Sequence, residues 1–112
     1  MHSETWFKHF PGAITVTDEN AVIITMNDAA AETFKEEGGY DLIGRSVIDC
    51  HPPEVQDKVR QLYEDGQANV YTIQKHGKKK LIYQTPIFED GKLTGVVELS
   101  LPLPEEVPEF ER

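Results

Sequence analysis

Cys50 and His51 stand side by side, and they are the residues whose types most directly suggest chemistry. A thiol becomes a nucleophile when a base within hydrogen-bonding reach takes its proton. Neighbours in sequence seldom achieve that geometry, and neither a helix N-terminus nor a Lys or Arg is placed beside Cys50 to lower its pKa. Cys50 therefore reads as a small buried apolar residue, and His51 as the residue leading into a helix at Pro52-Pro53. His2, His9, His51 and His76 have no ligand spacing, so no metal site is expected. Asp18, Asp28, Asp49 and Glu54 do not pair by spacing and belong to solvated turns. Asn27 suits a helix cap better than a catalytic amide. With no nucleophile, base and oxyanion set, the chain is expected not to be an enzyme. Tyr71 and Tyr83 remain. Facing inward, their phenols need partners that a bound molecule or water would supply; facing outward, they are half-exposed sheet aromatics.

These residues are positioned by a C-terminal trio of strands, 69–75, 80–88 and 93–101, rich in Val, Ile, Leu, Tyr and Thr. Asp90-Gly91 suits a type I′ hairpin turn, with Glu89 and Lys92 as facing opposite charges. A tight His76-Gly77 turn would set Lys75 against Lys78, so a looser loop over residues 76–79 is expected there. Pro86 cannot donate to a ladder, but counting from the first hairpin sets it opposite about Asn69, where the preceding strand begins. In the last strand, alternation puts Leu93, Gly95, Val97, Leu99 and Leu101 on one face, the more apolar one.

Upstream, residues 2–10 suit a short helix capped by Ser3 and stopped by Pro11-Gly12. Its Trp6, Phe7 and Phe10 either cover the outer face of the sheet or meet the same helix of a second copy. Strands at 13–18 and 21–26 flank a Glu19-Asn20 hairpin. Asn27 or Asp28 then caps a helix through Glu37, with Ala30 and Phe34 on one side and Gly38-Gly39 as its stop. Residues 40–50 fit neither period and read as short turns. His51-Pro52-Pro53-Glu54 opens the next helix, whose Val55, Val59, Leu62 and Tyr63 form an apolar stripe ending at Gly66. The prolines of residues 102–108 demand an extended tail. The predicted organisation is a helical cap at 1–12, a domain at 13–101 and a Pro/Glu-rich tail at 102–112. Its fold class is α+β, a five-stranded antiparallel sheet with short helices packed on one face.

With 112 residues the chain supports one core. Its 38% apolar content and ten aromatic residues exclude wholesale disorder. The formal charge of −9 argues against nucleic acid or an anionic membrane as partner. The basic run from residue 75 to 80 is expected to be a solvated hairpin tip rather than a docking patch. No stretch has the apolar length of a membrane span or a signal-peptide core, and a single cysteine suits a reducing compartment, so a cytoplasmic location is expected.

Several joints, in order, resemble a PAS domain. They are Phe10-Pro11-Gly12-Ala13-Ile14-Thr15-Val16-Thr17-Asp18, Ile24-Thr25-Met26-Asn27-Asp28-Ala29-Ala30, and Asp41-Leu42-Ile43-Gly44-Arg45-Ser46. They continue with His51-Pro52 and Thr85-Pro86-Ile87-Phe88-Glu89-Asp90-Gly91-Lys92-Leu93-Thr94-Gly95-Val96, and together span about residues 10 to 101. The resemblance implies a sensory or signalling module with a small-molecule cavity between sheet and helices, and with homodimerisation or a partner protein passing the signal on. Phe34, Cys50, Val59, Tyr63, Tyr71, Tyr83, Val97 and Leu99 are the expected pocket residues, and Trp6, Phe7 and Phe10 the expected dimer contacts. The flavin-binding branch carries its reactive cysteine three residues after the glycine that matches Gly44, where this chain has Val47. The oxygen-sensing heme branch takes its ligand from the long helix, which has no histidine between residues 54 and 64. Cysteinyl-adduct flavin and helix-histidine heme are therefore not expected, and the cofactor is left open. Leu101-Pro102-Leu103-Pro104 replaces the usual Asp-Ile-Thr joint and blocks a continuous C-terminal helix. The alternative is a ligand-free interaction adaptor with a filled core.

Overall fold

A computed structural model describes residues 3–49 and 53–112. The expected Ser3 cap, Cys50, the His51-Pro52 lead-in and the Val55 side chain lie outside the described residues and side chains. In chain order the elements are α1 (Ser3–His9), β1 (Ala13–Asp18), β2 (Ile23–Met26), α2 (Asp28–Thr33), two 3₁₀ turns (Lys35–Glu37 and Gly39–Leu42), and α3 (Pro53–Asp65). The strands β3 (Asn69–Lys75), β4 (Lys78–Glu89) and β5 (Lys92–Pro102) follow.

The five strands form one antiparallel sheet in the order β2-β1-β5-β4-β3. The N-terminal hairpin thus joins the C-terminal trio through β1 and β5, paired from Ala13↔Ser100 to Asp18↔Gly95. That seam is close at its end: a Cβ on Gly95 would stand 2.1 Å from the Thr17 carbonyl oxygen, so only glycine fits. Pro86 lies beyond the β3–β4 ladder, which ends at Asn69↔Gln84, and its partner is Val96 of β5.

Asp90 and Gly91 take φ of 51° and 79°, and Glu89 faces Lys92. The first hairpin differs from expectation. His76 and Gly77 make an equally tight turn, with φ of 53° and 74°, and Lys75 does face Lys78. Both lysines are exposed, where water and salt screen their repulsion. The backbone preference of a His-Gly turn for positive φ outweighs it. β2 is also shorter than expected, because Asp18 Oδ1 accepts from the amides of Asn20 (2.8 Å) and Val22 (3.0 Å), holding a turn in which Ala21 has φ 64°. α2 stops at Thr33, and the chain tightens into 3₁₀ geometry before Gly38.

Asn27, with no exposed surface, ties the sheet to α2. Its Oδ1 accepts from the Ala30 amide at 3.0 Å, capping α2, and from the Ile14 amide at 2.9 Å. Its Nδ2 donates to the carbonyls of Gly12 at 2.9 Å and Phe10 at 3.4 Å. The main core gathers beside it: Ala13, Ile23, Met26, Ala30 and Leu42, with Phe34 and Val47 packed against them. α1 is moored to α2 by Lys8, whose ammonium meets both Asp28 carboxylate oxygens at 2.8 Å, and Tyr40 of the second 3₁₀ turn donates to the same carboxylate. Lys8 and then Tyr40 hold the Asp28 carboxyl below its usual value.

Strand alternation settles which residues face the helices. Ala13, Thr15 and Thr17 of β1 face them, with Val96, Glu98 and Ser100 of β5, Ile82 and Gln84 of β4, and Asn69 and Tyr71 of β3. Ile14, Val16, Tyr83, Val97, Leu99 and Leu101 occupy the opposite face. The more apolar set of β5 is therefore outward. Part of it is covered from the N-terminal side, since Phe10 and Leu101 both crowd Gly12.

Replacing Asn27 by Ala removes the α2 cap and strands buried backbone groups of β1, and is expected to cost about 2 to 4 kcal/mol. Urea denaturation measures it. Asn27→Asp keeps the two acceptor contacts but buries a charge and turns an oxygen onto the Gly12 and Phe10 carbonyls, so at neutral pH it should destabilise at least as much. Gly95→Ala forces β1 and β5 apart and should cost about 1 to 3 kcal/mol, seen as a lowered Tm.

Candidate functional site

The helical cover is uneven, and the site lies where it thins. α2 brings Ala29, Ala30 and Ala31 down onto the β1–β2 end of the sheet, where small side chains allow close approach. α3 covers the β4–β3 end and carries longer side chains. Leu62 is buried, while Val59 and Tyr63 are only half-buried. Between α3 and the sheet runs a groove of about 650 Å³, bordered by Lys58, Val59, Leu62 and Asp65 on the helix and by Asn69, Tyr71 and Gln84 on the strands. It shares Val59, Leu62 and Gln84 with a deeper recess of about 30 Å³, which is lined further by Thr15, Thr17, Val47, Tyr63, Val96 and Glu98.

The floor is polar and ordered. Asn69 Nδ2 donates to Gln84 Oε1 at 3.0 Å, and Gln84 Nε2 donates to Glu98 Oε1 at 3.3 Å. These three residues and Thr15 stand in one cross-strand row through β3, β4, β5 and β1. Tyr63 and Thr17 share a hydrogen bond that fastens α3 to β1, and Thr17 Oγ1 also reaches the Val96 carbonyl at 3.5 Å. Burial pushes the Tyr63 phenol above its ordinary pKa. The Thr17 hydrogen bond opposes this, and the Asp18 and Glu98 carboxylates add to the rise. Tyr71 is raised by burial and then by Glu98. Both phenols are therefore neutral at physiological pH.

Of the expected pocket residues, Val59, Tyr63 and Tyr71 line the groove or its recess. Phe34 packs against the main core instead. Tyr83, Val97 and Leu99 lie on the opposite face of the sheet, a correction that follows from the outward set of β5. Cys50 is outside the described residues. Val47, where the flavin-binding branch has its cysteine, does line the recess. Thr15, Thr17, Asn69, Gln84 and Glu98 were not foreseen. Their one signal was the polar half of the strand alternation, which looks like a solvent face until the register is known. Trp6 and Phe10 are exposed and Phe7 half-buried, with the Trp6 ring edge-on to Phe7 at 5.9 Å and to Phe10 at 6.5 Å. Among the described residues no group of three or more His, Cys, Asp or Glu side chains comes together as a metal site. No described helix is long and apolar enough to cross a membrane.

The family model described as "PAS fold" matches residues 7–107. No curated protein sequence matches the chain at a significant level. Among solved structures, a C-terminal domain from Streptococcus mutans is 27% identical with a TM-score of 0.74, covering 89% of this chain and 81% of that one. The PAS domain of Bordetella pertussis BvgS is 17% identical with a TM-score of 0.62, over 90% and 83%. Vibrio cholerae VqmA bound to DPO is 22% identical with a TM-score of 0.64; the match covers 89% of this chain but only 56% of VqmA. A family match over most of the sequence, on a sheet of this strand order, means that the chain belongs to the PAS-fold family of sensory modules.

Proposed function

We propose that this PAS module is a non-enzymatic sensor that binds a small molecule in the groove between α3 and the sheet. The observation that carries this is the groove itself: about 650 Å³ of space over a floor of linked polar side chains. That volume is in the range of small-molecule sites, which combine apolar walls with a few convergent polar groups. Val59, Leu62 and Val96 supply the walls, and Gln84, Glu98, Tyr63 and Tyr71 the polar groups. VqmA, which shares the fold, is bound to DPO. The net charge of −9 favours a protein or small-molecule partner over nucleic acid for this stretch. VqmA has been seen with DNA, but the match covers only 49% of that chain.

Occupancy is passed on by a homodimer. Trp6 of α1 and Phe10 just beyond it are exposed, as are Tyr83 and Ile87 on the outer face of β4, and exposed apolar side chains of this kind favour self-association. VqmA too is described as a dimer. A filled-core adaptor is less favoured, because the space under α3 is not filled.

Native mass spectrometry of freshly purified protein tests the ligand. A bound small molecule is expected in the wild type and not in Val59→Trp, which fills the groove. Bare protein in both spectra, with NMR signals of Val59, Leu62 and Gln84 unmoved by a fragment library, would reject the groove as a site. Sedimentation velocity tests the dimer: the wild type should associate at micromolar concentration, and Trp6→Ala combined with Phe10→Ala should weaken association by about tenfold or more. A monomer at high micromolar concentration would exclude it.

A further inference from the structure

Glu98 gives the recess its charge. It is half-buried in the middle of β5, the central strand, and it is the carboxylate among the described residues that line the recess. None of those lining residues is Lys or Arg. Glu98 Oε1 accepts from Gln84 Nε2, and Gln84 is itself oriented by Asn69, so the carboxylate is held in place at the floor rather than swinging to solvent. Thr15, buried, stands beside it in the ladder, and Tyr63 approaches from α3. Its field reaches both phenols of the site, because Glu98 contributes to the upward shift of Tyr63 and of Tyr71.

Resting on the groove as the ligand site, we propose that its occupant is a small organic cation: a protonated amine on a short apolar body, with the ammonium against Glu98. The dimensions divide as that molecule does. The recess of about 30 Å³ holds a head group of roughly the volume one water takes up in the liquid. The apolar body lies between Val59, Leu62 and Val96 and continues into the wider groove. A fixed carboxylate removed from bulk water stabilises an ammonium through a charge-assisted hydrogen bond and repels an anion. The formal charge of −9 adds a long-range bias of the same sign.

Benzylamine, benzyl alcohol and benzoate share one apolar body and differ in the charge of the head group, so they separate this proposal from the site on which it depends. Each is titrated at neutral pH into the full chain while NMR follows Thr15, Val59, Leu62 and Val96. Benzylamine is expected to move these signals and to bind at least about tenfold tighter than benzyl alcohol, with benzoate weakest. Glu98→Gln should abolish the advantage of benzylamine over benzyl alcohol, and a dispersed amide spectrum shows that the variant is folded. Equal binding of benzylamine and benzyl alcohol to the wild type, or tighter binding of benzoate, would overturn the cation preference and leave the groove standing as a site. If none of the three moves these signals, the groove and the cation fall together. The comparison within the wild type needs no variant.

Discussion

One buried amide fixes how the two halves of this protein meet. Asn27 has two donors and an acceptor oxygen with two lone pairs, and each is spent on backbone: Ala30 and Ile14 on one side, Gly12 and Phe10 on the other. A side chain buried that completely would be costly if any of these were missing. No shift of α2 along β1 preserves all of them. The helix is thereby fixed against the strand in position and direction, and the Asn27 backbone closes the same joint by donating to Ile14 O at 3.1 Å and accepting from the Ala31 amide at 3.0 Å. Because β1 also pairs with β5, the lock on α2 extends to the centre of the sheet. Among the described residues no buried side-chain nitrogen or oxygen lacks a partner, so the polar interior is consistent with this joint throughout.

The groove follows from what Asn27 does not reach. At the β1–β2 end the cap brings Ala30 into the core beside Ala13, Ile23, Met26 and Leu42, with Ala29 and Ala31 packed against it. At the other end, among the described residues, the Tyr63–Thr17 hydrogen bond and the burial of Leu62 hold the C-terminal half of α3 to the sheet. The strands beneath it carry Asn69, Gln84 and Glu98, which satisfy one another across the sheet instead of packing against the helix. A polar row of that kind gives α3 little apolar surface to settle on. The space is the consequence of a well-satisfied polar floor under the helix.

Much of this was legible in the sequence, and what was not has a common cause. The strands, the Asp90-Gly91 turn, the Asn27 cap and the stripe of α3 follow from local rules, because propensity, turn chemistry and periodicity act over a few residues. Val59 and Tyr63 were accessible by the same route. The facing of β5 was not. Its alternation divides Val97, Leu99 and Leu101 from Val96, Glu98 and Ser100, and apolarity alone assigns the first set to the core. The choice depends on which side α2 and α3 fall, which β1 decides through a pairing that spans some eighty positions. Once that facing is reversed, Tyr83 leaves the site, and Gln84 and Glu98 enter it. The His76-Gly77 turn failed for the opposite reason: a charge argument suited to buried pairs was applied to two lysines in water.

The same alternation makes β5 the element that contributes to both faces of the sheet. Val96 and Glu98 point into the recess, and Val97 and Leu99, their immediate neighbours, point to the outer face beside Tyr83 and Val16. The strand has hydrogen-bonded partners on both edges, β1 and β4, so it cannot shift alone. On the proposed cation site, a molecule that draws on Glu98 acts beside the Gln84 contact that links β5 to β4, in the central strands rather than in a surface loop. Packed sheets move between discrete arrangements more readily than they deform continuously. The outer face built on those same strands carries the exposed Tyr83 and Ile87, and Phe10 meets it near Leu101 at Gly12. On the proposed function, the ligand-binding face and the face proposed to associate are opposite sides of one set of backbone hydrogen bonds.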